Sequence, residues 1–195
     1  MKTKIFLAAL AIASVGVSTI VSAQDEKKIS NIGLKLSLGL GSQDFTAAQD
    51  LERGEAASLS LGYGVSQRVS LWLGASASTH ERETEQELES SLASLELGVQ
   101  YKLRPGQKLQ PYGKLGLGGF FLNTEKTQTT LSGGGVSWGV GAEYRLVRFL
   151  SVGAEFFWKD FDYSHQRVGD NGEFNELARE LQGNSRGFML HLTLQ

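Results

Sequence analysis

The chain has 195 residues, of which 21% are charged, and its formal net charge is −2. This length fits one domain or at most two small ones. The near balance of acidic and basic residues argues against a nucleic-acid binder, which usually has a basic excess. The chain has no cysteine, which excludes a disulfide scaffold and thiolate metal sites. It has 24 glycines and 2 prolines, a glycine content that needs a structural reason.

The start of the chain has the pattern of a cleavable secretory signal. Lys2 and Lys4 form a basic start, Ile5–Val17 is a short apolar core, and residues 21–23 are small. We predict cleavage before Gln24, which leaves one mature domain at 24–195. A membrane-anchoring helix is the alternative, but the apolar core is shorter than the roughly 20 residues that a spanning helix needs.

The rest of the chain repeats an alternation of apolar and polar residues, which predicts strands with one apolar face. Eight segments show it, at about Ile32–Leu40, Ala56–Val65, Val69–Ser78, Ser91–Leu103, Leu109–Leu122, Gly134–Leu146, Leu150–Lys159 and Ser185–Gln195. Each has at least the roughly 9 residues that a tilted membrane strand needs. No stretch after residue 23 approaches 18 apolar residues, so we expect no helical span.

Two arrangements fit this alternation. A soluble lipocalin-like carrier turns the apolar face inward, whereas a membrane barrel turns it toward lipid. The second face of the strands is rich in glycine and serine, which weaken a solvent-exposed strand but leave room inside a narrow barrel. The composition of this face therefore favours the membrane barrel.

The connections between the strands alternate between long and short. The long ones are about Gly41–Glu55, Thr79–Ser90, Asn123–Gly133 and Asp160–Asn184; the short ones are Ser66–Arg68, Arg104–Lys108 and about Val147–Phe149. Outer-membrane barrels of bacteria have short periplasmic turns and longer extracellular loops. The alternation therefore favours the same architecture.

Aromatic residues lie on the apolar face near both ends of the strands. Tyr63, Tyr101 and Tyr144 are near the short turns, Phe121, Trp158 and Phe188 are near the long loops, and Trp138 is somewhat deeper. Two aromatic belts at opposite ends of an apolar band are typical of the two membrane interfaces. We predict an all-β fold, an eight-stranded antiparallel up-and-down transmembrane β-barrel.

Two segments carry a resemblance to a known family. Residues 111–118 (PYGKLGLG) resemble the fifth-strand P-Y-x-x-x-G-x-G stretch of the small eight-stranded outer-membrane β-barrels, the OmpA-like or OmpX-like, porin-like family. The last strand, Arg186–Gln195, looks like the strand read by the outer-membrane assembly machinery. The family usually ends in an aromatic residue, whereas this chain ends in Leu194-Gln195.

The resemblance implies a place in the outer membrane of a Gram-negative cell envelope. It implies outer-membrane lipids, lipopolysaccharide and the assembly machinery as partners, and an extracellular ligand that binds through the outer loops. It implies a structural or surface-interaction role in envelope integrity, adhesion or partner binding. A narrow, low-conductance porin for small solutes is the alternative function.

The strand parity also predicts which charged residues face the barrel interior. They are Lys35, Glu96, Lys102, Lys114, Glu143, Arg145, Glu155, Lys159 and His191. Isolated charges there are costly, so we expect ion pairs that fill the lumen. We expect the three glutamates to accept hydrogen bonds from Lys114, Arg145 and Lys35.

We expect no catalytic residues, no cofactor and no metal site. The three histidines show no nucleophile–base pattern, although His191, Thr193 and Glu155 share the inner face. The acidic loop at 79–89 lacks the spacing of a calcium-binding loop. In the longest loop, we expect Asn175–Leu181 to form a short helical turn.

Overall fold

A computed structural model describes residues 30–47, 49–50, 54–81, 89–124, 128–169, 172 and 174–195. The predicted signal at 1–23 and most of the acidic loop, 82–88, lie outside these residues. The described part of the chain is all β. Its strands are β1 (Gly33–Ala47), β2 (Gln49–Asp50), β3 (Gly54–Gly64), β4 (Val69–Glu81), β5 (Glu89–Lys102), β6 (Leu109–Thr124), β7 (Thr129–Val147), β8 (Leu150–Val168) and β9 (Asn175–Leu194). None of the described segments is a helix long and apolar enough to cross a membrane.

Eight of these strands form a closed antiparallel ring. Each long strand pairs with the next one in the sequence, and β1 also pairs with β9, which closes the ring. The closing register runs from Leu36 opposite Leu194 to Thr46 opposite Asn184. The two-residue strand β2 pairs only with the end of β1. The predicted eight-stranded antiparallel fold is confirmed.

The apolar face of the ring points outward. Leu34, Leu97 and Leu115 are 64%, 61% and 67% exposed, and the alternate positions on the same strands are the buried ones. An outward band of leucine and valine is unfavourable in water but matches the hydrocarbon of a bilayer. The soluble-carrier alternative is therefore wrong, because it needs this face inside.

Glycine on the inner face makes room for large neighbours. A Cβ atom at Gly116 would lie 2.7 Å from the ring of Trp72, and one at Gly118 would lie 2.7 Å from Cγ of Glu96. These distances are far below van der Waals contact. The high glycine content of the chain thus serves a lumen that is packed with bulky side chains.

The strands extend further at the long-loop end than the sequence indicated. The loop expected at Asp160–Asn184 is mostly strand, since β8 continues to Val168 and β9 begins at Asn175. Most of the expected loop at Asn123–Gly133 is also strand. The helical turn expected at Asn175–Leu181 is wrong. This segment belongs to β9 and pairs with β8 at both of its ends, which satisfies backbone groups that an isolated turn of helix leaves open.

The short-turn end holds both ends of the described chain. The turns after β3, β5 and β7 are short, and β1 begins and β9 ends at this same end. Gln195 donates through Nε2 to the carbonyl oxygen of Ser30 at 2.7 Å. The start and the end of the ring are therefore tied to each other by a side chain.

Candidate functional site: the barrel lumen

Arg145 closes the lumen at the short-turn end. Its Nη2 donates to Oδ1 of Asn31 at 3.0 Å and to Oε1 of Gln195 at 2.9 Å. Its Nη1 donates to the carbonyl oxygens of Ser30 and Arg148 at 3.2 and 3.1 Å. Asn31 is fully buried. One guanidinium thus joins the first described residues, the last residue and the turn after β7.

Lys102 lies just inside this closure. Its Nζ is 2.5 Å from Oε2 of Glu143 and also donates to Oε1 of Gln110 at 3.0 Å. The strand register explains the contact, because Lys102 pairs near Gln110 on β6 and Gln110 lies opposite Glu143 on β7. Nearby, Nζ of Lys35 donates to Oγ of Ser70 at 2.8 Å.

Glu155 occupies the middle of the lumen. Its Oε2 accepts a hydrogen bond from the Tyr112 hydroxyl at 2.8 Å. Nζ of Lys114 is 3.6 Å from the same oxygen, and Nε2 of His191 is 3.8 Å from it. Lys114 also lies over the ring of Trp72, with Nζ 4.2 Å from the ring centroid. This cluster draws on four different strands, so only the closed ring brings it together.

Lys159 and Glu96 form the next pair toward the long-loop end. Nζ of Lys159 is 2.7 Å from Oε1 of Glu96. It also donates to the hydroxyls of Ser76 and Ser94 at 2.9 and 3.1 Å. Three acceptors therefore satisfy the three donors of this buried ammonium group.

An aromatic cluster closes the long-loop end, and we call it the aromatic plug. Its buried members are Phe45, Leu92, Phe120, Phe161 and Tyr163, all at most 3% exposed. The rings of Phe120 and Phe161 stack at 4.5 Å, and those of Phe45 and Phe161 stack at 6.1 Å. The plug closes the ring across strands β1, β5, β6 and β8.

A cavity lined largely by polar and charged residues lies between the two closures. Its volume is about 100 Å³, and its lining includes Lys35, Trp72, Glu155 and His191. Strands β1, β3 and β4 contribute mostly serine and glycine to its wall, with Lys35 as their one charged residue, while the other charged side chains come from β5 to β9. The lumen is thus filled unevenly, with free space against the serine-rich wall.

The nine charged residues assigned to the interior all point into the ring. Their partners differ from the expected ones. Glu96 pairs with Lys159 and Glu143 with Lys102, whereas Lys114 contacts Glu155. The donors expected for the remaining contacts bond elsewhere, because Lys35 reaches a serine and Arg145 reaches the short-turn end. The strand register, which parity alone does not fix, decides these partners.

Sequence reasoning missed several interior residues. Trp72 and Tyr112 are central to the lumen, and Asn31 seals its short-turn end. A signal was available for Trp72, since it lies between Leu71 and Leu73 and parity therefore turns it inward. None was available for Asn31, which precedes the first strand.

The seven aromatics assigned to the membrane belts all lie on the outer face. Five are 43% to 53% exposed: Tyr63, Tyr101, Phe121, Trp138 and Tyr144. Trp158 and Phe188 are partly buried because they stack on neighbours. The rings of Trp138 and Trp158 are 4.2 Å apart, and Phe188 packs against Phe156 at 5.0 Å.

The three histidines lie apart and have different surroundings. His80 is fully buried beside Phe45, His165 bonds to Ser164 at 2.8 Å, and His191 lies near Glu155. Within the described ranges, no three histidine or acidic residues are grouped as metal ligands are.

Comparison with known proteins agrees with this geometry. The family model described as the outer membrane protein β-barrel domain matches residues 6–178. The chain belongs to this family. No curated protein sequence matches it.

Solved structures with the same architecture have low sequence identity to this chain. The crystal structure of Neisserial surface protein A superposes with a TM-score of 0.64 at 11% identity, covering 83% of this chain and 96% of that one. The outer membrane protein OprG from Pseudomonas aeruginosa superposes with a TM-score of 0.56 at 12% identity, covering 86% and 97%. At such identities the likeness shows the fold alone.

Proposed function

We propose that this protein is an integral outer-membrane barrel with a structural or surface-interaction role, and that its lumen does not conduct. The observation that carries the proposal is that side chains of the described residues close both ends of the lumen. Arg145 with Asn31 closes the short-turn end, and the aromatic plug closes the other. We propose that the ion pairs between the two ends form an interior network of the kind expected from the sequence, with other partners.

The outer face of the barrel is suited to the outer membrane. The aromatic residues at both ends of the apolar band suit contacts with outer-membrane lipids and lipopolysaccharide. We propose export through the signal at 1–23 and insertion by the outer-membrane assembly machinery, with the short turns on the periplasmic side. The short-turn end then faces the periplasm and the long-loop end faces the outside.

A surface role is supported by the extended strands at the long-loop end. Residues 160–166 of β8 pair with residues between 175 and 184 of β9 beyond the level of Trp158, across one register shift after Tyr163, and we call this extension the ribbon. An extension of this kind presents side chains outside the bilayer, where adhesion or ligand contacts take place. We propose that an extracellular ligand binds to this ribbon and to the outer loops.

One observation favours the alternative function, a narrow porin. The polar cavity of about 100 Å³ leaves part of the lumen unfilled. If the side chains that close the two ends moved aside, small solutes would have a polar route along the serine-rich wall. This alternative therefore requires both closures to open.

Single-channel recording separates the two functions. The protein is purified from membranes, and its folded state is verified by heat-modifiable gel mobility before it is added to planar bilayers. Our proposal predicts a silent bilayer at both polarities. Stable, step-like currents that disappear when the protein is heat-denatured would contradict it and support the porin.

A complementation experiment separates envelope integrity from a surface role. Cells that lack the protein are complemented with the intact chain or with a chain in which residues 165–178 are replaced by a short glycine–serine turn. If integrity is the role, both chains restore resistance to detergent. If the role is at the surface, detergent resistance does not change and adhesion is lost with the ribbon. An effect in neither assay would contradict both roles.

A further inference from the structure

The interior of the barrel carries more positive than negative charge. Between the short-turn closure and the aromatic plug, the described inward residues include five cationic side chains and three carboxylates, counting His191 as neutral. The cations are Lys35, Lys102, Lys114, Arg145 and Lys159, and the carboxylates are Glu96, Glu143 and Glu155. Buried charge without a counter-ion is costly, so an excess of two positive charges needs an explanation.

The ion pairs show which cations form the excess. Each of the three carboxylates has its own lysine: Lys159, Lys102 and Lys114. Two cations remain, Arg145 and Lys35. Arg145 lies at the mouth of the barrel, where four oxygen atoms accept its hydrogen bonds. The excess charge inside the lumen is therefore located at Lys35.

The ammonium group of Lys35 is incompletely bonded. Lys35 is 6% exposed, and the hydrogen bond that its ammonium group makes within the described residues goes to Ser70. An ammonium group has three donors, so two are available. The charged groups that act on it most are Lys102, Glu143 and Arg145, of which the one carboxylate is already paired with Lys102. The surroundings of Lys35 are therefore net positive.

The cavity next to Lys35 offers further donors. Trp72 also lines it, and its indole Nε1 is buried with no hydrogen-bond partner among the described residues. Indole nitrogen only donates. Serine hydroxyls on β1 and β3, at Ser37, Ser58 and Ser60, complete the wall. Two unused donors of Lys35 and an excess of positive charge beside this cavity are complementary to an anion.

We propose that the lumen binds a small monovalent anion of chloride size in this cavity, held by Lys35 with the indole N–H of Trp72 as a second donor. The cavity has room for a hydrated small ion, because its volume of about 100 Å³ is well above the roughly 10–15 Å³ that one water molecule needs on the same measure. The bound anion neutralises the interior whether or not the barrel conducts.

The test compares thermal unfolding in different anions. The protein is folded in zwitterionic detergent, and loss of the heat-modifiable band is followed at equal ionic strength in sodium chloride, bromide, formate or gluconate. Chloride and bromide should raise the midpoint by several degrees over gluconate, a much bulkier anion. A rise in formate as well would extend the anion class to small carboxylates. Equal midpoints in all four salts would overturn the proposal.

Variants test whether Lys35 and Trp72 cause the halide-dependent rise in the midpoint. Lys35→Met should abolish the halide-dependent rise and, in gluconate, should unfold at a higher temperature than the unmodified protein, because the uncompensated charge is gone. Lys35→Arg should keep the rise, and Trp72→Phe should reduce it. The matched control is Lys108→Met, an exposed lysine in the turn after β5, which should behave like the unmodified protein.

Crystallography of the unmodified protein provides a measurement that does not depend on variant folding. Crystals grown in sodium bromide are measured at the bromine absorption edge. An anomalous peak within hydrogen-bond distance of Lys35 Nζ is expected. Peaks confined to the outer surface, or a halide-dependent rise that persists in Lys35→Met, would overturn the proposal.

Discussion

Lys159 and Glu96 are 63 residues apart in the chain, yet Nζ of one lies 2.7 Å from Oε1 of the other. They reach each other from β8 and β5, so the contact crosses the lumen instead of following one hairpin. Both side chains are at least nine-tenths buried. A pair of this kind holds distant parts of the ring together and contributes only once the ring has closed.

Replacing one member of this pair should leave the other without its partner, which is more costly than the loss of the interaction alone. Lys159→Met and Glu96→Gln each leave one polar or charged group without its partner, and each should lower the free energy of unfolding by about 3 kcal/mol. The double variant should lose less than the sum of the two. Urea unfolding in lipid vesicles, followed by tryptophan fluorescence, measures the free energies of unfolding of the unmodified protein, the two single variants and the double variant. Additive losses would show that the two side chains act independently.

The Lys102–Glu143 pair gives a second measurement of the interior network. Glu143→Ala removes the carboxylate that faces Lys102 and also accepts from Gln100 at 3.2 Å. The temperature at which the detergent-solubilised barrel loses its heat-modifiable band should fall. Glu55→Ala is the control, because Glu55 is exposed and its loss should leave the midpoint unchanged. Equal midpoints for Glu143→Ala and the unmodified protein would count against the network.

Two glycines should respond differently to the same added methyl group. A Cβ atom at Gly41 would collide with the backbone carbonyl of Phe188, whereas one at Gly113 meets nothing within 4 Å. Gly41→Ala should therefore cost about 1–3 kcal/mol, and Gly113→Ala should change stability by less than about 0.5 kcal/mol. Urea unfolding of both variants in vesicles measures the difference. Similar values would mean that the β1–β9 closure is looser than the register indicates.

The three tryptophans should report opposite environments. Trp138 and Trp158 are on the outer face, and Trp72 lies inside the lumen. Proteins that retain one tryptophan each are folded into vesicles of brominated lipid, which quenches fluorescence on contact. Trp138 and Trp158 should be strongly quenched, and Trp72 should be little affected. Strong quenching of Trp72 would mean that this side chain contacts lipid, which would contradict its place in the lumen.

The alternation of the sequence was sufficient to predict the ring and its inside-out polarity. Period-two patterns identify the strands and the face of each residue, and the glycine- and serine-rich composition of one face indicates a narrow interior. Lys35, Glu96 and Glu143 were placed inward on this basis alone.

The partners within the lumen were not predictable in the same way. They depend on the stagger between strands, and a stagger of two residues keeps every face unchanged while it exchanges the ion pairs. Lys102 rather than Arg145 pairs with Glu143 for this reason.

The sequence pattern underestimates the length of the strands at the long-loop end, because the alternation there consists of aromatic and small residues. Phe161 and Tyr163 turn inward on β8, where both lie opposite glycines of β7 and Phe161 also lies opposite Gly183 of β9. Charged residues such as Asp160 and Asp162 occupy the outer face, where the membrane strands have leucine. The apolar face is therefore reversed outside the bilayer, and a pattern defined by leucine stops at the membrane boundary.

Thiol accessibility tests the closed lumen most directly, because the chain has no cysteine of its own. Ser60→Cys places one thiol on the cavity wall, and Lys108→Cys places one in an exposed turn. Both are folded into vesicles that carry a small charged thiol reagent on either side. Closure at both ends predicts that the cysteine at position 60 reacts at least a hundredfold more slowly than the one at 108 from either side. Comparable rates from any side would contradict a lumen that its own side chains seal.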